Sequence, residues 1–153
     1  MIWKPHATVA AIVEREGKFL MVEEEADGVI VYNQPAGHLD PGENIVDAAV
    51  RETREETAWQ FEADAVVGIY LWEQPGTERT FLRFAFSGSV RNHDQAQPLD
   101  EGIIRAVWLS RDELIAMPEK IRSPMVIDCI DDYLAGKRYP LDMFHNDLIN
   151  GSA

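Results

Sequence analysis

Gly37-His38-Leu39-Asp40-Pro41-Gly42-Glu43, then Asn44 and a segment ending Arg51-Glu52-Thr53-Arg54-Glu55-Glu56-Thr57, is the stretch from which the fold is read. Pro41-Gly42 is a turn signal and Asn44 a good N-cap, which predicts a helix over residues 44–57. Val46, Ala49, Val50, Thr53 and Thr57 recur at helical spacing and give that helix one inward stripe. At about 100° per residue, Glu52, Glu55 and Glu56 fall on a narrow face beside the stripe. Helical side chains lean toward the N-terminus, so these carboxylates are expected to lie over Ala48 and Ala49, small enough to leave room above them. An acidic run on a helix is ordinarily a solvated face. Here the run borders the apolar stripe instead of opposing it, a glycine-containing turn feeds it, and Arg51 and Arg54 are interleaved as counter-charges. Such an arrangement suits a hard divalent cation, Mg²⁺ or Mn²⁺, held by oxygen ligands.

Gly37, then five residues, Glu43, seven residues, and Arg51-Glu52-x-x-Glu55-Glu56 resembles the Nudix box, a loop–helix–loop signature of hydrolases that cut diphosphate linkages. Six fixed positions over so long a span make chance occurrence improbable. Thr53 stands where an aliphatic residue is usual and Ala58 where a glycine usually follows the helix; neither is a presumed metal ligand. The resemblance implies a Nudix fold, an α/β chain of the α+β kind with a mixed β-sheet between helices. It further implies Glu52, Glu55 and Glu56 as metal ligands, with Glu56 bridging ions, and the Gly37 carbonyl as an additional oxygen ligand. Arg51 would orient the glutamates through charge-assisted hydrogen bonds, and Glu43 would support the loop. A further acidic residue before a late strand often joins such a centre; Glu101, then Asp100, are the candidates. The base that activates water stays open among Glu55, Glu56 and Glu101.

The chain has 153 residues, 46% of them hydrophobic, which suits one domain spanning residues 1–153 with a real core. No apolar run approaches the length of a membrane span and no charged-then-apolar signal segment opens the sequence, so a cytoplasmic setting is expected. The single cysteine, Cys129, lies in an apolar helical pattern and reads as a buried thiol in a reducing compartment. A net charge of −13 argues against nucleic-acid or anionic-membrane partners. It also makes phosphate binding difficult unless a cation first neutralises the site.

Residues 6–14 read as a buried strand, Glu16-Gly17 as a turn and residues 19–23 as its returning partner. Glu23-Glu24-Glu25 with Asp27 is expected to form a solvated acidic loop, and residues 29–32 a short strand. His38 could contact a phosphate, although a surface or core hydrogen bond is the commoner role. Beyond the box, strands are expected over residues 65–72, 80–90 and 103–109. On the second of these, Leu82, Phe84 and Phe86 take one face and Phe81, Arg83 and Ala85 the other. Arg83 is then either a phosphate or substrate clamp or a salt-bridged surface arginine. Ser110 to Glu113 forms a capping box for a short helix, and Ser123-Pro124 opens a last helix that Gly136 ends. Val126, Ile130, Tyr133 and Leu134 would supply the buried stripe of that helix. The bulky residues of the tail, 138–145, are expected to pack on the domain or on a partner subunit.

Several blocks outside the box, among them Lys4-Pro5-His6, residues 33–39, Phe81-Leu82-Arg83-Phe84, Arg122-Ser123-Pro124 and Arg138-Tyr139-Pro140-Leu141, are similar to the NudJ-type phosphatase branch of the family. That likeness implies a small phosphorylated substrate: nucleoside di- and triphosphates, thiamine pyrophosphate or hydroxymethylpyrimidine diphosphate, with phosphate released one group at a time. Arg83 and His38 are the candidate substrate-binding residues, with Trp3, Tyr32 and Trp72 as ring-stacking candidates. The chain could be a monomer or a homodimer. Two other readings are a nucleoside triphosphate pyrophosphohydrolase that sanitises oxidised nucleotides and a non-hydrolytic nucleotide sensor.

Overall fold

A computed structural model describes residues 1–149. The hydrophobic strand at the N-terminus, β1 (His6–Ile12), is the centre of the molecule. β2 (Glu14–Arg15) and β3 (Lys18–Ala26) follow, then β4 (Val29–Asn33), β5 (Ala36–His38) and the helix α1 (Ile45–Thr57). β6 (Gln60–Glu73), β7 (Thr80–Arg91) and β8 (Ile103–Leu109) complete the strands, and α2 (Arg111–Ile115) and α3 (Pro124–Leu134) the helices. One mixed sheet runs β5-β1-β7-β6, parallel only between β1 and β7. A second, antiparallel sheet is centred on β3, which pairs with β2 and β4 along one edge and with β8 along the other. The α+β class and the mixed sheet agree with expectation; the division into two sheets depends on long-range pairing that periodicity does not reveal.

Register sets which residues share a face. Thr8 pairs with His38 on one side and Arg83 on the other, and Phe81 pairs with both His6 and Trp72. These side chains form a polar and aromatic floor. On the opposite face Val9, Ala11 and Phe86 join Ala48 and Ala49 of α1 in a buried cluster. Ala85 and Val67 belong to the other cluster, with Val126, Cys129 and Ile130 of α3. The sheet is thus covered by α1 on one face and α3 on the other, and the faces assigned to β7 are those observed.

Three expectations are corrected. Glu23, Glu24 and Glu25 are not a loop: β3 continues to Ala26, and the turn falls at Asp27-Gly28, both at positive φ. Glu23 instead accepts a hydrogen bond from the Tyr32 hydroxyl at 2.7 Å. Ala48 and Ala49 are core residues with no room left above them. Leu134, in the last turn of α3, is half exposed, and Met125 and Cys129 take its place in the buried stripe. The tail packs on its own chain. Tyr139 exchanges both backbone hydrogen bonds with Val66 at 2.8 Å, and Phe144 meets Phe84 and Phe86.

Candidate active site

Two pieces of backbone geometry bring the box together. The Asn44 side chain accepts the Asp47 N–H at 2.8 Å and starts α1 where expected. At the other end Ala58 adopts the left-handed conformation, φ 62°, and returns its N–H to the Arg54 carbonyl. The last two turns of α1 then lie against the edge strand β5. Gly37 matters at this contact: a Cβ built there would sit 2.2 Å from the Glu52 carboxyl carbon. The room the carboxylates need comes from this glycine, across the interface, and not from alanines on their own helix.

Arg51 organises the acidic residues. Its Nε and Nη2 form a fork on the Glu43 carboxylate at 2.9 and 2.7 Å. Nη1 donates to Glu52 at 2.8 Å and to Glu55 at 2.7 Å, and Nη2 also reaches the His38 carbonyl at 2.9 Å. These bonds hold the Glu43 carboxyl below its ordinary pKa and the guanidinium above its own. Glu43 also accepts the Asp40 N–H at 2.7 Å, which fixes the loop ahead of the helix.

Oxygens of Glu52, Glu55 and Asp100 lie within 4.8 Å of one another. Asp100 arrives because its own N–H donates to the Glu55 carbonyl at 3.0 Å. Glu101, the preferred sequence candidate, is exposed and outside this group; its neighbour Asp100 occupies the position. Adjacent acidic residues at a strand entrance cannot be separated until the strand's start is known. Glu56 is nearly buried, and its Oε1 accepts the Ala36 N–H at 2.9 Å while Oε2 has no hydrogen bond among the described residues. Burial pushes its carboxyl well above the ordinary range, reinforced by the nearby charges of Glu24, Glu52 and Asp100. Glu52 and Asp100 are raised too, burial again the leading cause.

A cleft of about 330 Å³ opens beside this group. Gly37, His38, Asp40, Glu52 and Glu56 line one side; Thr8, Arg83, Phe81 and Trp72 rise from the sheet; Arg122, Ser123 and Met125 close it at the start of α3. Glu24, from the supposed acidic loop, is also in the wall. Arg83 is 3% exposed, so it is not a surface arginine. Its Nη1 donates to Gln34 at 2.8 Å and its Nη2 to Asn33 at 3.0 Å. The His38 ring meets His6 edge-on at 5.4 Å, and its carbonyl is taken by Arg51. Of the stacking candidates, Trp72 lines the cleft and stacks on Phe81, Tyr32 is buried with its hydroxyl on Glu23, and Trp3 is exposed away from the cleft. Cys129 is fully buried at 4.0 Å from Arg83.

The NUDIX domain model matches residues 4–128, and the chain belongs to the Nudix hydrolase family. It is 41% identical over 142 residues to phosphatase NudJ of Escherichia coli K12, spanning 93% of this chain and 92% of that one; phosphatase NudJ of Shigella flexneri matches equally. A NUDIX hydrolase from Nitrosomonas europaea superposes with a TM-score of 0.91 at 50% identity, covering 93% of this chain and 97% of that one. A MutT NUDIX hydrolase from Burkholderia pseudomallei, at 16% identity and a TM-score of 0.72 over 85% of this chain and 98% of the other, shares the fold alone. Within the family the chain is of the NudJ type, and it is an enzyme acting on phosphoric anhydride bonds. No helix among the described residues is long and apolar enough to cross a membrane.

Proposed function

We propose that the protein is a Mg²⁺-dependent phosphatase of nucleoside di- and triphosphates and of thiamine-type pyrophosphates, releasing orthophosphate. The observation that carries this reading is the likeness to phosphatase NudJ over nearly the whole chain. The cleft supports it with carboxylates, guanidinium groups and an aromatic wall around a volume suited to a small ligand. Glu52, Glu55 and Asp100 offer only hard oxygen donors, close together and unobstructed by a side chain at position 37, and so fit Mg²⁺ or Mn²⁺. When bound, such a cation would neutralise phosphate charge and polarise the phosphoryl group.

The chain's own residues do the rest. Arg51 fixes Glu52 and Glu55 while its fork on Glu43 keeps the guanidinium from turning away. Glu56 is the group we assign to take the proton of the attacking water: it borders the cleft, its Oε2 has no hydrogen bond among the described residues, and burial raises its affinity for a proton. Trp72 and Phe81 offer a flat apolar surface to a heterocycle.

³¹P NMR of products from GTP, GDP and thiamine pyrophosphate with Mg²⁺, run beside Glu56→Gln, tests the proposal. Orthophosphate from all three, lost in the variant, is the expected result. Pyrophosphate from GTP would instead identify a nucleoside triphosphate pyrophosphohydrolase, and binding without any product a nucleotide sensor.

A further inference from the structure

Three arginines border the cleft and its acidic rim, and they differ in how many of their donors are already engaged. Arg51 spends all three guanidinium nitrogens on Glu43, Glu52, Glu55 and the His38 carbonyl. Arg83 is 3% exposed, with Nη1 and Nη2 on Gln34 and Asn33 and with an Nε that is buried and has no partner among the described residues. Neither can turn toward a ligand without breaking buried hydrogen bonds. Arg122 is different. Its side chain is 28% exposed in the cleft wall, and its one polar partner among the described residues is Glu24, with Nε 3.7 Å from Oε1. That separation is longer than a good hydrogen bond, so the guanidinium's five N–H groups remain available.

Its backbone is nevertheless fixed. The Arg122 N–H donates to the Tyr32 carbonyl at 2.9 Å, next to a bridge between Tyr32 and Ile121, and Ser123 caps α3 immediately afterwards. A rigid main chain carrying a side chain with uncommitted donors suits an anion that arrives and leaves. Glu24 pairs with Arg122 and lines the same cleft as Glu52 and Glu56.

From this placement we infer that Arg122, not Arg83, is the side chain that grips the phosphate oxygens of the substrate, and that Glu24 is its resting partner, displaced when the phosphate enters. The inference rests on the proposed phosphatase reading for its substrate class. Glu24 holds Arg122 weakly in the empty cleft and repels a phosphate that has not engaged it. The incoming phosphate substitutes one anion for another on the same guanidinium. Arg83 then serves as a buried strut that ties β7 to the Asn33-Gln34 segment.

Steady-state kinetics with GDP and Mg²⁺, together with inhibition by inorganic pyrophosphate, distinguish these roles. Arg122→Gln is expected to raise KM and the pyrophosphate inhibition constant together by about 10- to 100-fold, with kcat changing far less. Arg122→Lys should recover part of the loss, since it restores the charge without the fork. Glu24→Gln should leave pyrophosphate inhibition as strong or stronger. Thermal melting of each variant separates a binding defect from misfolding, since the backbone bond to Tyr32 is not made by the Arg122 side chain. An unchanged KM and inhibition constant in Arg122→Gln would overturn the inference. Should wild type turn over no GDP, the phosphatase reading fails by itself, and calorimetric titration of Mg²⁺-pyrophosphate into wild type and Arg122→Gln still decides the role of Arg122: equal affinities would reject it.

Discussion

Gly37 shows how a single missing atom shapes the site. A methyl group there would collide with the end of the Glu52 side chain, which can swing aside without disturbing the core. Gly37→Ala is therefore expected to lose at least about 10-fold in activity with a thermal midpoint near that of wild type. A variant that keeps full turnover would show that the contact is not needed. The box itself was legible because its residues are local: the cap, the stripe and the four glutamates sit within one loop and one helix. Arg122 and Glu24 were not legible as site residues. They approach only because Ile121 and Arg122 bond back to Tyr32 on β4, a contact that nothing in the local sequence announces. For Arg83 the alternating pattern found the correct face, but burial and committed donors came only from packing.

At the scale of elements, the end of α1 tests the departure from the family pattern at position 58. Ala in the left-handed region costs roughly 1–2 kcal/mol. Replacing it by Gly removes that strain but gives up a buried methyl worth about 0.8 kcal/mol and adds unfolded-chain entropy of about 0.5–1 kcal/mol. The terms nearly cancel, which explains how alanine is accommodated. Ala58→Gly should unfold within about 0.5 kcal/mol of wild type in denaturant titration, whereas Ala58→Val, branched at positive φ, should lose more than about 1 kcal/mol. A strongly stabilised glycine variant would contradict this balance. Element lengths were read less well than their existence. β3 runs three residues beyond the expected strand end because acidic residues on a half-solvated face of a sheet do not interrupt pairing with β4 and β8, and the real stop is Asp27-Gly28.

For the whole molecule, the raised carboxyls couple stability to pH. Glu52 and Glu56 have folded pKa values above their ordinary 4.5, with burial the leading cause. Their contribution to stability is fully present below the unfolded value and is lost as pH rises through the folded one. Glu43 has the opposite sign: its contribution is present above 4.5 and lost on acidification through its lowered value. Without a divalent cation the protein should therefore lose stability from Glu52 and Glu56 as pH climbs above 4.5. Mg²⁺ favours the ionised carboxylates, so the rise in thermal midpoint it produces should grow as pH climbs above 4.5 and these groups ionise. At saturation near 100 times the dissociation constant the gain is about 2.7 kcal/mol. A midpoint shift independent of pH would disconnect these carboxylates from the cation.

The strap formed by Tyr139 and its neighbours has a bearing on colloidal behaviour. β6 is the outer strand of its sheet, with Ile69 and Leu71 exposed along it, and the Tyr139 backbone occupies the hydrogen-bonding groups of Val66. Leu141 and Phe144 cover apolar surface next to it. Truncation after Lys137 would uncover a bare strand edge flanked by hydrophobic side chains, a template for edge-to-edge addition of further copies. Light scattering should then report growing particles at concentrations where the intact chain stays monodisperse; a truncated protein that remained unchanged in size would show that the edge is guarded by other means. The strap would thus serve as a solubility gatekeeper, in addition to its packing on the core.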